Sequence, residues 1–130
     1  MKALQCIELG GPEKLVVSEV PDPIIAAEHV IIEVRSASVN FPDVLMIQGL
    51  YQFQPPLPFK PGGESAGVII EIGEGVESFK VGDKVFAATG VGGISEKILA
   101  HQSSIRLIPE EMDFEIAAAL SVTYGTSIYA

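Results

Sequence analysis

The sequence predicts a mainly β fold, an antiparallel barrel or sandwich with a few short helices. Three observations carry this. About seven short apolar stretches, alternating or rich in β-branched residues, fall within the first 109 residues in hairpin order, without a helix between each pair. Turn formers, Gly 13 and Pro 9, are spread along the chain and punctuate those stretches. The longer helical signals come at the end, after Asp113. A length of 130 residues is one domain's worth, and 48% hydrophobic against 19% charged residues is enough apolar material for a core and excludes disorder.

Each element follows from its own residues. Met1 to Glu8 and Lys14 to Val20 predict two strands, with Gly10 to Glu13 as the turn between them. "HVIIEVRSASV", His29 to Val39, alternates and predicts a long strand. Asn40 to Gly49 predicts a short helix: Asn40 as N-cap, Pro42 in the first turn, Asp43 at the third position as a capping-box variant, and Gly49 as the stop. Pro55, Pro56, Pro58 and Pro61 make the next stretch an irregular, ordered loop. Strands are predicted at Ser65 to Gly73, over "KVFAAT", after "GGISEK" and at Ser104 to Pro109. Asp113 caps a predicted helix over "FEIAAALSV", and a second helix begins near Thr123 and runs to Ala130. The division is therefore a β-rich domain at 1–112 and a helical segment at 113–130. "SVTYGTSIYA" is apolar, without a C-cap glycine or a basic last turn, so a further domain is expected downstream.

Composition narrows the function classes. A formal net charge of −9 repels phosphate backbones, which argues against a nucleic-acid partner. The acidic residues are scattered and make a solvated surface. With Cys6 as the single cysteine no internal disulfide forms, and a reducing compartment is expected. The N-terminus lacks the apolar core of a signal peptide, and no apolar run approaches the ~20 residues of a membrane helix. A cytoplasmic protein without a membrane partner is the expectation.

Several residues have chemistry to weigh. Asn40 and Asp43 serve by spacing as helix caps. Tyr51 is a loop aromatic that packs on "PPLP", or a phenol placed to give up a proton. Thr123 caps the last helix or offers its hydroxyl to a ligand. "GEGVES", Gly73 to Ser78, has two glycines but no third and no following helix, and Glu74 and Glu77 repel a pyrophosphate, so it is a turn. His29 and His101 have no ligand spacing and are surface or strand residues. Cys6 has no neighbouring base or cation to lower its pKa.

"VNFPDVLMIQGLYQFQPPLPFKPGGESAGVI", "VESFKVGDKVFA", "GGISEKILA" and "AAALSVTYGTSIYA", in this order from Met1 to Ala130, resemble the medium-chain dehydrogenase/reductase superfamily, in its zinc-free quinone oxidoreductase branch. The resemblance covers that family's N-terminal catalytic domain alone. It implies a GroES-like, partly open antiparallel β-barrel, followed in family members by a Rossmann domain and a return to the catalytic domain. It implies NADPH as cofactor, a small quinone or enone as substrate, and a homodimer for the whole protein. Zinc relatives keep a cysteine at the position of Asn40 and a histidine at Gly63. An amide and a glycine cannot replace a thiolate and an imidazole, and Glu64 alone cannot hold zinc, so no metal is expected. Glu64 is then an anchor for nearby backbone or an arginine. By the same resemblance Asn40 and Asp43 line the nicotinamide end of the cofactor cleft, Thr123, Thr126 and Tyr124 lie near the nicotinamide carboxamide, and Asn40 and Tyr51 act on the substrate. Related enoyl-thioester reductases use a tyrosine in the context of Tyr51 as proton donor, which keeps that activity as an alternative. A free-standing GroES-like binding module is a third. As a fragment the chain is expected to be inactive.

Overall fold

The computed structural model describes residues 1–129. Seven strands form two antiparallel sheets. Strands β1, Lys2–Cys6, and β2, Leu15–Glu19, pair as a hairpin. The second sheet contains β3, His29–Ser38; β4, Glu64–Ile72; β5, Lys84–Ala88; β6, Lys97–His101; and β7, Ile105–Leu107, in the order β6-β3-β4-β5-β7. Isolated bridges Ala3↔Ser95 and Cys6↔Phe59 tie the hairpin to it. The end strands β6 and β7 do not pair with each other, so the barrel is open, as expected from the sequence.

The period of two predicted from the sequence builds the core. Val30 and Ile32 of β3, Ile69 of β4, Val85 and Ala87 of β5, Ile98 and Ala100 of β6, and Ile105 meet on one side of the sheet. Each large aliphatic side chain buried there contributes about 1.5–3 kcal/mol. Strand β3 is bulged between Val34 and Ser36, which bends it as bulges do. Gly67 of β4 sits against this bend: a Cβ there would lie 2.0 Å from the Glu33 carbonyl oxygen. The bend delivers the end of β3 to the start of β4, where Ser38 stands opposite Glu64.

Helix α1, Phe41–Ile47, follows directly, with Asn40 at the N-cap position: the Asp43 side chain accepts its backbone N–H, the reach-back half of a capping box, while the Asn40 side chain makes no cap bond. Its end is a Schellman motif: the Leu50 N–H donates to Leu45 O at 2.9 Å, the Gly49 N–H to Met46 O at 3.1 Å, and Gly49 has φ +72°. The loop that follows, up to β4, is irregular, as its prolines require.

Some boundaries differ from expectation. Strand β1 stops at Cys6, and Lys14 ends a 3-10 turn over Pro12–Lys14 rather than opening β2, because Pro12 fixes the local φ. Strand β7 is only Ile105–Leu107, bounded by Pro109, which has no N–H to give. The predicted helix over 114–122 ends four residues early: α2 is Phe114–Ala118. Asp113 holds the N-cap position but makes no side-chain cap bond. A π-helical turn, Ser121–Gly125, and helix α3, Thr126–Tyr129, follow. Thr123 lies inside the π-turn, and its hydroxyl donates back to Ala119 O at 2.6 Å instead of capping. The last residue of the predicted segment, Ala130, lies outside the described residues.

Candidate active-site cleft

The N-terminus of α1, the start of β4 and the π-turn enclose a cleft of about 370 Å³. Asn40, Asp43, Tyr51, Phe53, Glu64 and Val122 line it, with Met46 and Pro42 as further apolar wall. The volume falls in the range of small-molecule sites.

Glu64 is the hub. It is the first residue of β4 and is only 1% exposed. A buried carboxylate needs donors, and three reach it. Ser38 Oγ and Asn40 Nδ2 each donate to Oε2 at 2.9 Å. The backbone N–H of Val122 donates to Oε1 at 2.6 Å. Helix α2 has already tightened to i→i−3 bonds by then, Ala119 N–H to Ile116 O and Leu120 N–H to Ala117 O, and the Val122 bond follows that break. In a continuing helix the Val122 N–H would bond to the carbonyl of Ala118. Glu64 takes it instead, and the chain passes into the π-turn, a form common at functional sites. The sequence expectation that Glu64 anchors backbone holds, with two side chains added and no arginine.

Asn40 Nδ2 also donates to Ser38 Oγ at 3.0 Å. Both amide N–H groups are thus committed inward, and the carbonyl oxygen is what remains for a ligand. Asp43, also buried, is a clamp. One oxygen accepts the Asn40 backbone N–H at 2.9 Å and the other the Gly62 N–H at 3.0 Å. It lines the cleft while joining α1 to the glycine loop.

Tyr51 is half-buried, with its ring against the cluster of Cys6, Met46, Ile47 and Phe59. It takes no part in the hydrogen bonds around Glu64 and Asp43. Asn40, Asp43 and Tyr51 are therefore brought together. Thr123 and Thr126 are not: both are exposed on the helical tail, and it is Val122 that faces the cleft. Tyr124 is exposed over a separate apolar groove with Met112 and Leu120. The sequence did not single out Ser38, Phe53 or Val122. Only the repeated need of a buried Glu64 for donors pointed toward such partners.

Among the described residues no three His, Cys, Asp or Glu side chains converge as a metal site. At the glycine loop a zinc ligand set is not present: Asn40 and Gly63 supply no anionic or imidazole ligand, and both Glu64 oxygens are engaged. His29 and His101, distant in sequence, are cross-strand partners on β3 and β6 with rings edge to face at 5.0 Å. Cys6 is fully buried, and burial pushes its thiol pKa up, consistent with an unreactive side chain.

Residues 26–110 match the alcohol dehydrogenase GroES-like domain. The quinone oxidoreductase of Lama guanicoe is 40% identical over 132 positions, which cover 100% of this chain and 40% of that enzyme. A probable oxidoreductase from Mycobacterium abscessus superposes with a TM-score of 0.94 at 40% identity, over 100% of this chain and 41% of its own. The quinone oxidoreductase of Escherichia coli, solved in complex with NADPH, gives a TM-score of 0.90 at 31% identity over 99% of this chain and 39% of its own. The chain thus spans about two fifths of the length of the relatives it matches. It belongs to the alcohol dehydrogenase GroES-like domain family and, within the medium-chain dehydrogenase/reductase superfamily, to the quinone oxidoreductase branch.

Proposed function

We propose that this chain is the substrate-facing domain of an NADPH-dependent quinone oxidoreductase that works without zinc. Residues 1–112 form the catalytic domain and 113–130 lead toward a nucleotide-binding half. One observation carries the reading: the cleft presents an amide and a phenol, Asn40 and Tyr51, where a metal site would need ligands, and its one loop carboxylate is consumed internally. NADPH supplies a hydride when bound. The cleft suits the uncharged nicotinamide end of that cofactor: its walls are apolar or aromatic, and the carboxylates of Asp43 and Glu64 disfavour a phosphate there.

The roles follow from what each group has free. Asn40 offers its carbonyl oxygen as an acceptor. Tyr51 offers an O–H to the acceptor oxygen of the substrate, where negative charge develops. Asp43 and Glu64 keep these groups in place. Phe53 and Met46 exclude water and favour a flat, apolar substrate. No Lys or Arg lines the cleft, and this favours a neutral quinone or enone over the anionic carrier of an enoyl-CoA. A free-standing binding module would have no use for the cleft's polar network. The whole protein is read as a cytoplasmic homodimer, and the fragment alone as inactive.

The test is NADPH oxidation by the full-length protein with 1,4-naphthoquinone, a simple enone and an enoyl-CoA. The quinone should be turned over fastest, Tyr51→Phe should lower its kcat about a hundredfold, and the 130-residue chain should be silent. Faster turnover of the enoyl-CoA, with Tyr51→Phe abolishing it, would replace this reading by the enoyl-thioester reductase one.

A further inference from the structure

We propose that Glu64 is a positioning residue that sets the hydrogen-bonding polarity of the cleft, an inference that rests on the reading of the cleft as the site of acceptor reduction. An ionised carboxylate only accepts hydrogen bonds. Every neighbour of a fully buried one must therefore turn a donor toward it. Ser38 has a single hydroxyl hydrogen, and it goes to Glu64 Oε2. The Ser38 oxygen can then only accept, and it accepts from Asn40 Nδ2. The other Asn40 N–H goes to Glu64 directly. A flipped amide would bring its oxygen to 2.9 Å from a carboxylate oxygen, a repulsive contact. The orientation of Asn40 is thus dictated by the charge on Glu64, and the cleft receives a carbonyl acceptor from Asn40, with Tyr51 left as its donor.

The same carboxylate sets the opposite wall. It holds the Val122 N–H at the start of the π-turn and so fixes Val122 against the cleft. One buried charge therefore couples the catalytic face of α1 to the tail segment, 58 residues away in sequence.

Glu64→Gln tests this. The glutamine keeps the shape but carries two donors and one acceptor, so Ser38 and Asn40 are released to reverse. In the full-length, ¹⁵N-labelled protein, hydrogen exchange of the Asn40 side-chain amide is measured alongside NADPH oxidation with 1,4-naphthoquinone. The amide protons should exchange slowly in the wild type and like those of an exposed asparagine in Glu64→Gln. The kcat should fall about tenfold, while the KM for NADPH moves less. Because Glu64 acts through Asn40, the double variant Glu64→Gln/Asn40→Ala should be no slower than Asn40→Ala alone. Slow exchange retained in Glu64→Gln, or a double variant whose loss is the product of the two single losses, would overturn the proposal. If Glu64→Gln does not fold, Ser38→Ala takes its place: it leaves the carboxylate and its direct bond to Asn40, so exchange of the Asn40 amide should stay slower than in an exposed asparagine, and exchange as fast as that of an exposed asparagine would overturn the proposal. A wild type that oxidises no NADPH with any quinone or enone would sink the functional reading, and the exchange measurement would still decide the role of Glu64.

Discussion

Gly62 and Gly63 are adjacent and chemically identical, yet the fold asks different things of them. Gly62 has φ +100°, and a Cβ on it would lie 2.7 Å from the backbone nitrogen of Ile94. No side chain fits there. Gly63 has no such φ, and its Cβ would meet only the Gly90 carbonyl at 3.4 Å, an ordinary contact. This is the position at which the zinc relatives keep a histidine, and the backbone here still has room for a side chain. The proposed absence of metal at this loop thus concerns which side chain is present and not whether the backbone leaves space for one. Gly62→Ala should cost about 2–4 kcal/mol, from the left-handed backbone and the clash together. Gly63→Ala should stay within about 0.5 kcal/mol of the wild type. The midpoint of urea unfolding checks both, and equal losses would refute the distinction.

At the scale of elements, α1 shows how a seven-residue helix is held. Such a length is marginal on propensity alone. The reach-back of Asp43 to Asn40 and the Schellman end at Gly49 were legible in the sequence because each is local, set by residues a few positions apart. The second bond of Asp43, to the Gly62 N–H, was not legible, since nothing in the spacing announces a contact 19 residues on. Replacing Asp43 by alanine removes the bond to Asn40 and leaves the Gly62 N–H buried without a partner. The expected loss is about 2–3 kcal/mol, read by thermal or urea unfolding. A loss no larger than that of an ordinary exposed cap would show that the clamp to the glycine loop contributes nothing. The tail shows the reverse limit. Its helical character was readable from "FEIAAALSV", but the bond that the Val122 N–H makes beyond the break, to Glu64 on a strand far upstream, was not. Thr123 and Thr126 were named through family resemblance alone, and of this segment it is Val122 that lines the cleft.

For the molecule as a whole, strand patterning was enough to give an antiparallel barrel or sandwich, because alternation of apolar residues is a local signal that the sheet only has to collect; that the barrel is open came from the family resemblance. The cross-strand meeting of His29 with His101 depends on register, and the convergence of Ser38, Asn40, Glu64 and Val122 depends on a bulge in β3 and on long-range pairing. The polar half of the site was therefore visible as residues, not as a network. The proposed function asks this network to work as a cleft in which Tyr51 is the donor to the substrate and no Lewis acid takes part. The most direct measurement is quinone-dependent NADPH oxidation by the full-length protein after exhaustive dialysis against a zinc chelator, with the metal content determined on the same sample. The rate should equal that of the untreated enzyme, at substoichiometric zinc. A rate that disappears on chelation and returns when zinc is added back would contradict a metal-free cleft.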